Sequence, residues 1–122
     1  MTLMPPEGTP PVEVRYTSEF KRNVRRLLKR YRQIRNDIQP VIDQLEQGET
    51  PGDQMTETGY AVFKARAKNT DARKGKSGGY RVIYYLRTAE RVILVTVYSK
   101  LEQGDISSGA IRRIIAEYEQ SK

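Results

Sequence analysis

Residues 80–100, YRVIYYLRTAERVILVTVYSK, decide the fold. They contain two segments rich in β-branched and aromatic residues, 80–87 and 91–100, and the short connection 88–90 (TAE) joins them. Such residues favour strands, and a connection this short is typical of a hairpin. The stretch therefore predicts two antiparallel strands in the second half of the chain.

Two amphipathic helices are predicted before this hairpin. Apolar residues recur at helical spacing after the N-cap candidates Thr17 and Ser18, and again until the stop at Gly48. The turn between the two helices is expected near residues 31–33. Pro40 lies inside the second pattern, where its ring and missing N–H are expected to kink the helix or to start a new one.

The remaining segments complete an α+β pattern. Alternating residues predict strands at 12–16 and 60–68, residues 49–59 are predicted as a loop, and Ile111, Ile114, Ile115 and Tyr118 indicate a final helix. The predicted order is β-αα-βββ-α. This order indicates an α+β fold in which an N-terminal strand and a helical hairpin pack on a small, mainly antiparallel sheet, with a C-terminal helix.

The chain is expected to form one domain. Its 122 residues are an ordinary domain length. Residues 1–11 contain four of the six prolines and are interpreted as a loose extension, which leaves 12–122 as the single domain.

Composition excludes several classes of chemistry. The chain contains neither cysteine nor histidine, which excludes disulfides, zinc fingers, Ser-His-Asp catalysis and histidine-ligated metal sites. No metal or other cofactor is signalled. The longest apolar stretch, residues 92–98, is too short to span a membrane, and the Pro-rich start lacks a signal pattern. We therefore expect a cytoplasmic protein without a membrane partner.

The distribution of charge points to a polyanionic partner. The net charge is +7, with nine basic residues and one acid in 15–35, six acids and no base in 36–59, and seven bases and one acid in 60–81. Two basic blocks thus flank an acidic one. Such blocks are typical of nucleic-acid-binding proteins.

The most informative basic residues lie on predicted strands. Period two places Lys64, Arg66 and Lys68 on one face of their strand, and it groups Arg81 with Ile83 and Tyr85 on the next. On the last strand it places Leu94, Thr96, Tyr98 and Lys100 together. If the strands form a meander, one face of the sheet, opposite the helical hairpin, collects these five residues: Lys64, Arg66, Arg81, Tyr98 and Lys100.

These residue types suit phosphate chemistry. RNA is cleaved when its 2′-hydroxyl attacks the adjacent phosphorus, which requires proton removal, charge stabilisation and protonation of the leaving 5′ oxygen. Arginine can engage two phosphate oxygens, lysine can transfer a proton when other cations crowd it, and tyrosine can stack on a base or donate a proton. A basic strand face is nevertheless more often a binding surface than a catalytic one, so both interpretations stay open here.

The segments KGKSGGYRVIYY at 74–85 and VILVTVYSKLEQGDIS at 92–107 resemble the RelE/HigB branch of the RelE–ParE toxin superfamily. The resemblance covers roughly residues 13–118. It implies a RelE-like fold with a twisted sheet, and a metal-independent endoribonuclease that cuts mRNA, usually on the ribosome. It also implies a cognate antitoxin, and contact with DNA only through the toxin–antitoxin complex.

The resemblance assigns roles to several residues. Arg81 matches the phosphate-stabilising arginine, Lys64 and Arg66 match a basic pair, and Lys100 matches a basic residue at the end of the last strand. Some relatives carry a tyrosine where this chain has Ile106, and Tyr98 is expected to replace it, which leaves the general base open. Candidate RNA contacts are Lys68, Arg73, Lys74, Lys76 and Tyr85, although Tyr85 is also expected to pack in the core.

Two alternatives remain. A ParE-like gyrase inhibitor would share the fold without cutting RNA, and a plain nucleic-acid-binding module would use the basic face without chemistry. The clustered cations favour the nuclease over the gyrase inhibitor. Replacing Arg81 separates a nuclease from a binding module, because only a nuclease would lose a reaction while keeping part of its affinity.

Overall fold

The computed structural model describes residues 11–72 and 78–121. It confirms the α+β class, and none of its helices is long and apolar enough to cross a membrane. The strands are β1 (Glu13–Tyr16), β2 (Asp53–Met55), β3 (Val62–Ala67), β4 (Tyr80–Thr88) and β5 (Arg91–Ser99), and the helices are α1 (Ser18–Leu28), α2 (Ile34–Glu46) and α3 (Ser108–Gln120).

The strands form one five-stranded sheet in the order β1-β5-β4-β3-β2. β1 runs parallel to β5, and the other neighbours are antiparallel. The predicted β4–β5 hairpin is confirmed. The prediction of an unbroken loop at 49–59 is wrong, because β2 lies within it and pairs with β3. At three residues, β2 is too short to show an alternating pattern.

The helical hairpin covers one face of the sheet, as predicted. Phe20, Val24 and Leu27 of α1 join the core that includes Tyr80, Val82 and Tyr84 of β4, and α2 contributes a further buried stripe. This packing also keeps α2 helical across Pro40. Of the two alternatives expected at Pro40, the start of a new helix is wrong, because one helix runs from Ile34 to Glu46 and is buried on both sides of Pro40.

The C-terminal helix packs on the opposite face. Ile111, Ile114 and Ile115 of α3 join a second core with Ile83 and Tyr98, among other residues of the sheet. Ser107 caps the first turn of the helix, because its hydroxyl accepts a hydrogen bond from the Ala110 amide at 3.1 Å. A pair between Arg87 Nε and the Glu119 carboxylate at 2.8 Å ties the last turn to β4.

A register shift in β5 changes which residues share a face. Ile83 pairs with Thr96, but the next residue of β4, Tyr84, pairs with Leu94, so Val95 is an extra residue in β5. Such an insertion is a β-bulge. The prediction that Leu94 and Tyr98 share a face is therefore wrong, because Leu94 packs in the core beneath the helical hairpin and Tyr98 in the core beneath α3.

Candidate nucleic-acid interface

Three predicted site residues form a row across the sheet. Arg81 of β4 pairs directly with Arg66 of β3 on one side and with Tyr98 of β5 on the other. Directly opposed residues in antiparallel strands have Cβ atoms about 5 Å apart and point to the same face. The strand periods thus bring Arg66, Arg81 and Tyr98 together as the sequence predicts.

Neither arginine has a carboxylate partner among the described residues. Within 11–72 and 78–121, neither Arg66 nor Arg81 forms an ion pair, and Arg81 Nη1 only donates to the carbonyl oxygens of Gly78 and Tyr80, both at 3.3 Å. Like charges that face each other across strands repel. Two neighbouring guanidinium groups with free donors form a site that an oxyanion such as phosphate can bind and neutralise.

Lys64 and Tyr98 meet at an aspartate that the sequence interpretation did not include. Asp105 Oδ1 lies 3.6 Å from Lys64 Nζ and accepts a hydrogen bond from Tyr98 Oη at 3.1 Å. The same oxygen accepts the Ile106 amide at 2.8 Å. The Ile106 amide, and then Tyr98 and Lys64, lower the pKa of Asp105 below its ordinary value, so Asp105 is a carboxylate at neutral pH.

Tyr98 is too buried for its ring to stack on an RNA base, which is one of the roles predicted for it. Its side chain is only 3% exposed. Burial, followed by the nearby Asp105 charge, raises the pKa of Tyr98 to about 12. The hydroxyl is therefore protonated at neutral pH and can donate a hydrogen bond, whereas its ring is not open to a base.

Lys100 lies at the end of β5 and is held by the surrounding loops. Its amide donates to the Gly79 carbonyl at 3.0 Å, and its ammonium donates to the carbonyl of Gly104 in the β5–α3 loop. Lys100 is thus anchored beside the start of β4, but its side-chain contact is with this loop and not with the arginine row.

The predicted RNA contacts fall into three groups. Lys68 is exposed just beyond the end of β3. Tyr85 is 3% exposed and its hydroxyl lies 3.2 Å from the Glu119 carboxylate, while burial raises its pKa, so its ring is enclosed under α3 and we leave it out of the interface. The other predicted contacts, Arg73, Lys74 and Lys76, lie outside the described residues.

Two glycines allow the backbone to close around these residues. Gly79 has φ +73°, and a Cβ built on it would overlap the Ala67 carbonyl oxygen. Gly52 has φ +91°, and its Cβ would overlap the carbonyl oxygen of Lys64. Only glycine combines this conformation with such close packing. These two positions bring the start of β4 and the loop before β2 against the strand that carries Lys64 and Arg66.

Comparison with known proteins adds one finding. A family model described as the RelE toxin of the RelE/RelB toxin–antitoxin system matches residues 17–120. No curated protein gives a significant match to the chain. The matched range begins at the N-cap of α1 and ends with the last residue of α3, so it includes every described residue of the interface.

Proposed function

This chain belongs to the RelE toxin family of toxin–antitoxin systems, and on that premise we propose that it is an endoribonuclease that cleaves mRNA on the ribosome. Cleavage there would inhibit translation. The family implies a cognate antitoxin as a partner, and any contact with DNA would be made through the complex with that antitoxin. Because mRNA and ribosomes are the targets, the proposal places the protein in the cytoplasm.

The observation that supports this function most is the uncompensated Arg66–Arg81 pair. Both side chains lie on one face of the sheet and have no carboxylate partner in the described ranges. Lys64 lies on the same face of β3, two residues before Arg66. Like charges directly opposite each other on two strands repel, so the pair by itself weakens the pairing of β3 and β4. A phosphate group would neutralise both guanidinium groups and could accept hydrogen bonds from each.

The proposed reaction is attack by the 2′-hydroxyl on the adjacent phosphorus. The 2′ oxygen gives its proton to a general base, a role that we assign to none of the named residues, and forms a bond to phosphorus. The bond to the 5′ oxygen breaks, and that oxygen takes up a proton from a general acid. The products are a 2′,3′-cyclic phosphate and a 5′-hydroxyl. We assign Arg66 and Arg81 to the negative charge that develops on the phosphoryl oxygens, a contribution for which one lost donor costs about 10²–10³-fold in rate.

The remaining site residues are assigned to proton transfer and orientation. Lys64 carries an ammonium group that can protonate the leaving oxygen, whereas the Lys100 ammonium would first have to leave the Gly104 carbonyl to do so. Because the pKa of Tyr98 is about 12, we assign its hydroxyl the role of hydrogen-bond donor and not that of a base. No step requires a metal ion.

Basic residues near the end of β3 are proposed to bind the RNA backbone. Lys68, just after β3, is exposed, and Arg73, Lys74 and Lys76 follow it in the amino-acid sequence. Neutralising the last three together should weaken RNA binding and reduce its dependence on salt, because each phosphate contact releases counterions. Unchanged affinity and salt dependence would contradict this assignment.

The test is primer extension on an mRNA in a purified translation system, beside the same mRNA without ribosomes. We expect cuts within codons only when ribosomes are present. Arg81→Ala should reduce cleavage by at least about 10²-fold while ribosome binding is partly retained. Arg35→Ala is the matched control, since Arg35 is an exposed arginine on α2, in the layer on the other side of the sheet.

Other outcomes would point to different functions. Cuts on both templates would indicate a ribonuclease that does not need the ribosome. If neither template is cut, the nuclease proposal fails, and a DNA gyrase supercoiling assay would test the gyrase-inhibitor alternative. If the protein cuts nothing and binds RNA equally well with and without the Arg81 side chain, it is a binding module. Residues other than Arg81 would then bind the RNA.

A further inference from the structure

Three donors converge on one carboxylate oxygen at the edge of the interface. Asp105 Oδ1 accepts the Ile106 amide at 2.8 Å and the Tyr98 hydroxyl at 3.1 Å, and Lys64 Nζ lies 3.6 Å away. The backbone around it is held as well, because Gln103 Nε2 donates to the Asp105 carbonyl at 3.1 Å. The position of the carboxylate is therefore fixed by bonds within its own loop, in addition to its contacts with the two side chains from the sheet.

A carboxylate at this point has a cost for a protein that binds RNA. Its negative charge would repel a phosphate near Arg66 and Arg81. The ion pair with Lys64 does not explain its presence, because the Asp105 side chain is 65% exposed and exposed ion pairs contribute little to folding. The enclosed Tyr98 hydroxyl, by contrast, requires an acceptor, and Asp105 is the acceptor that it has.

We propose that Asp105 is a positioning residue for RNA cleavage, and that its carboxylate holds the Tyr98 hydroxyl and the Lys64 ammonium in place beside the Arg66–Arg81 pair. This inference rests on the proposed ribonuclease function. Lys64 has a long flexible side chain, and a fixed counter-charge restricts the volume that its ammonium explores. Tyr98 stands directly opposite Arg81, so its hydroxyl is set at one end of the row that would meet the phosphate.

The role is separate from that of a general base. A positioning acceptor needs an oxygen at the Oδ1 place, which asparagine also supplies, whereas a base needs the negative charge. Asp105→Asn should therefore keep the bonds from Ile106 and Tyr98 and lose only the attraction for Lys64. Asp105→Ala removes all three interactions.

The experiment measures cleavage kinetics on ribosome-bound mRNA for the full-length protein. We expect Asp105→Ala to lower kcat by about 10²-fold, the typical effect of a misplaced group, with KM unchanged or reduced because a negative charge is lost. Asp105→Asn should lose no more than about tenfold. Asp43→Ala is the matched control, because Asp43 is an exposed aspartate on α2 whose side-chain bond, 2.9 Å long, comes from Gln39.

Two further measurements distinguish positioning from a structural role. In a double-mutant cycle, Tyr98→Phe should add much less to the loss in the Asp105→Ala background than it costs alone, because both changes remove the same hydrogen bond. Titration of the tyrosines, followed by NMR of 13Cζ-labelled protein, should give a lower pKa for Tyr98 in Asp105→Asn, since the carboxylate charge that raises it is gone.

The possible failures can be told apart. If the wild type cuts mRNA and folded Asp105→Ala cuts it equally fast, the positioning role is refuted while the nuclease function stands. If Asp105→Asn is as inactive as Asp105→Ala, an acceptor oxygen at the Oδ1 place is not sufficient, and the positioning of Tyr98 is refuted. If the wild type cuts nothing, the proposed function fails and this inference fails with it. Should Asp105→Ala not fold, Asp105→Asn decides, and wild-type kinetics together with an unchanged Tyr98 pKa would refute the role.

Discussion

Replacing Gly79 by alanine should destabilise the fold far more than the same change at Gly59. Both glycines have φ in the left-handed region, +73° for Gly79 and +79° for Gly59. A Cβ on Gly79 would overlap the Ala67 carbonyl oxygen, whereas no described atom lies within 4 Å of a Cβ on Gly59. The pair therefore separates the cost of the backbone conformation from the cost of the clash.

The magnitude follows from these two contributions. A non-glycine residue in the left-handed region costs about 1–2 kcal/mol, and alanine returns about 0.4–1 kcal/mol by restricting the unfolded chain, so Gly59→Ala should cost about 1 kcal/mol. Gly79→Ala must also move backbone, because the overlapped atom belongs to β3. Overpacking of this kind typically adds about 1–3 kcal/mol, which gives a total of about 2–4 kcal/mol.

The assay is urea unfolding of both variants beside the wild type. With a slope of roughly 1.5 kcal/mol per molar urea, Gly79→Ala should lower the midpoint by about 1.3–2.7 M and Gly59→Ala by less than about 1 M. Because the Gly79 carbonyl accepts the Lys100 amide and Arg81 follows two residues later, cleavage should also fall in Gly79→Ala alone. Equal midpoints for the two variants would refute the close approach of β4 to β3 at this point.

Three further predictions concern stability. Arg66→Gln should raise the melting temperature by about 1–5 °C at low salt, because it removes the repulsion from Arg81, and this gain should vanish in high salt. A lower melting temperature would show that another group neutralises the two arginine charges. Hydrogen bonding to Arg22 lowers the pKa of Glu19 in the folded state, so its contribution is complete above the unfolded value of about 4.3 and is lost as the pH falls through the folded value. Thermal melts of Glu19→Gln should therefore approach those of the wild type between about pH 5 and 3, and a constant difference would contradict this. Tyr84→Phe should cost about 1 kcal/mol in urea unfolding, since the Tyr84 hydroxyl donates to the Pro51 carbonyl at 2.5 Å; no change would mean that water replaces this bond.

Much of the fold is predictable from local pattern. The helical spacing of Phe20, Val24 and Leu27 identifies the face of α1 that is buried, and the strand period of β3 and β4 correctly places Lys64, Arg66 and Arg81 on one face. These features depend only on residues a few positions apart. The shared face of these three residues is therefore predictable from the amino-acid sequence, whereas the row with Tyr98 also requires the pairing of β3, β4 and β5.

The features that could not be predicted are of two kinds. Some depend on contacts between distant parts of the chain, and others lie in a stretch that is almost entirely apolar and therefore shows no alternation. The bulge at Val95 leaves no trace in VILVTVY, because polar residues do not alternate with the apolar ones there, and the register shift places Leu94 on the other face. Asp105 lies in a loop, where no period fixes the direction of a side chain, so its contact with Lys64 was not visible. Pro40 does not end α2, since burial of the rest of the helix outweighs one lost hydrogen bond.

The pairing of the first strand with the last sets the order in which a newly made chain can fold. Glu13 pairs with Arg91 and Tyr16 with Leu94, so β1 has no neighbour in the sheet until β5 has been synthesised. The arginine row has the same requirement, because Tyr98 belongs to β5. Pairings between such distant segments form late and slowly. In a chain still growing from its ribosome, the row of Arg66, Arg81 and Tyr98 therefore cannot assemble before β5 has been synthesised.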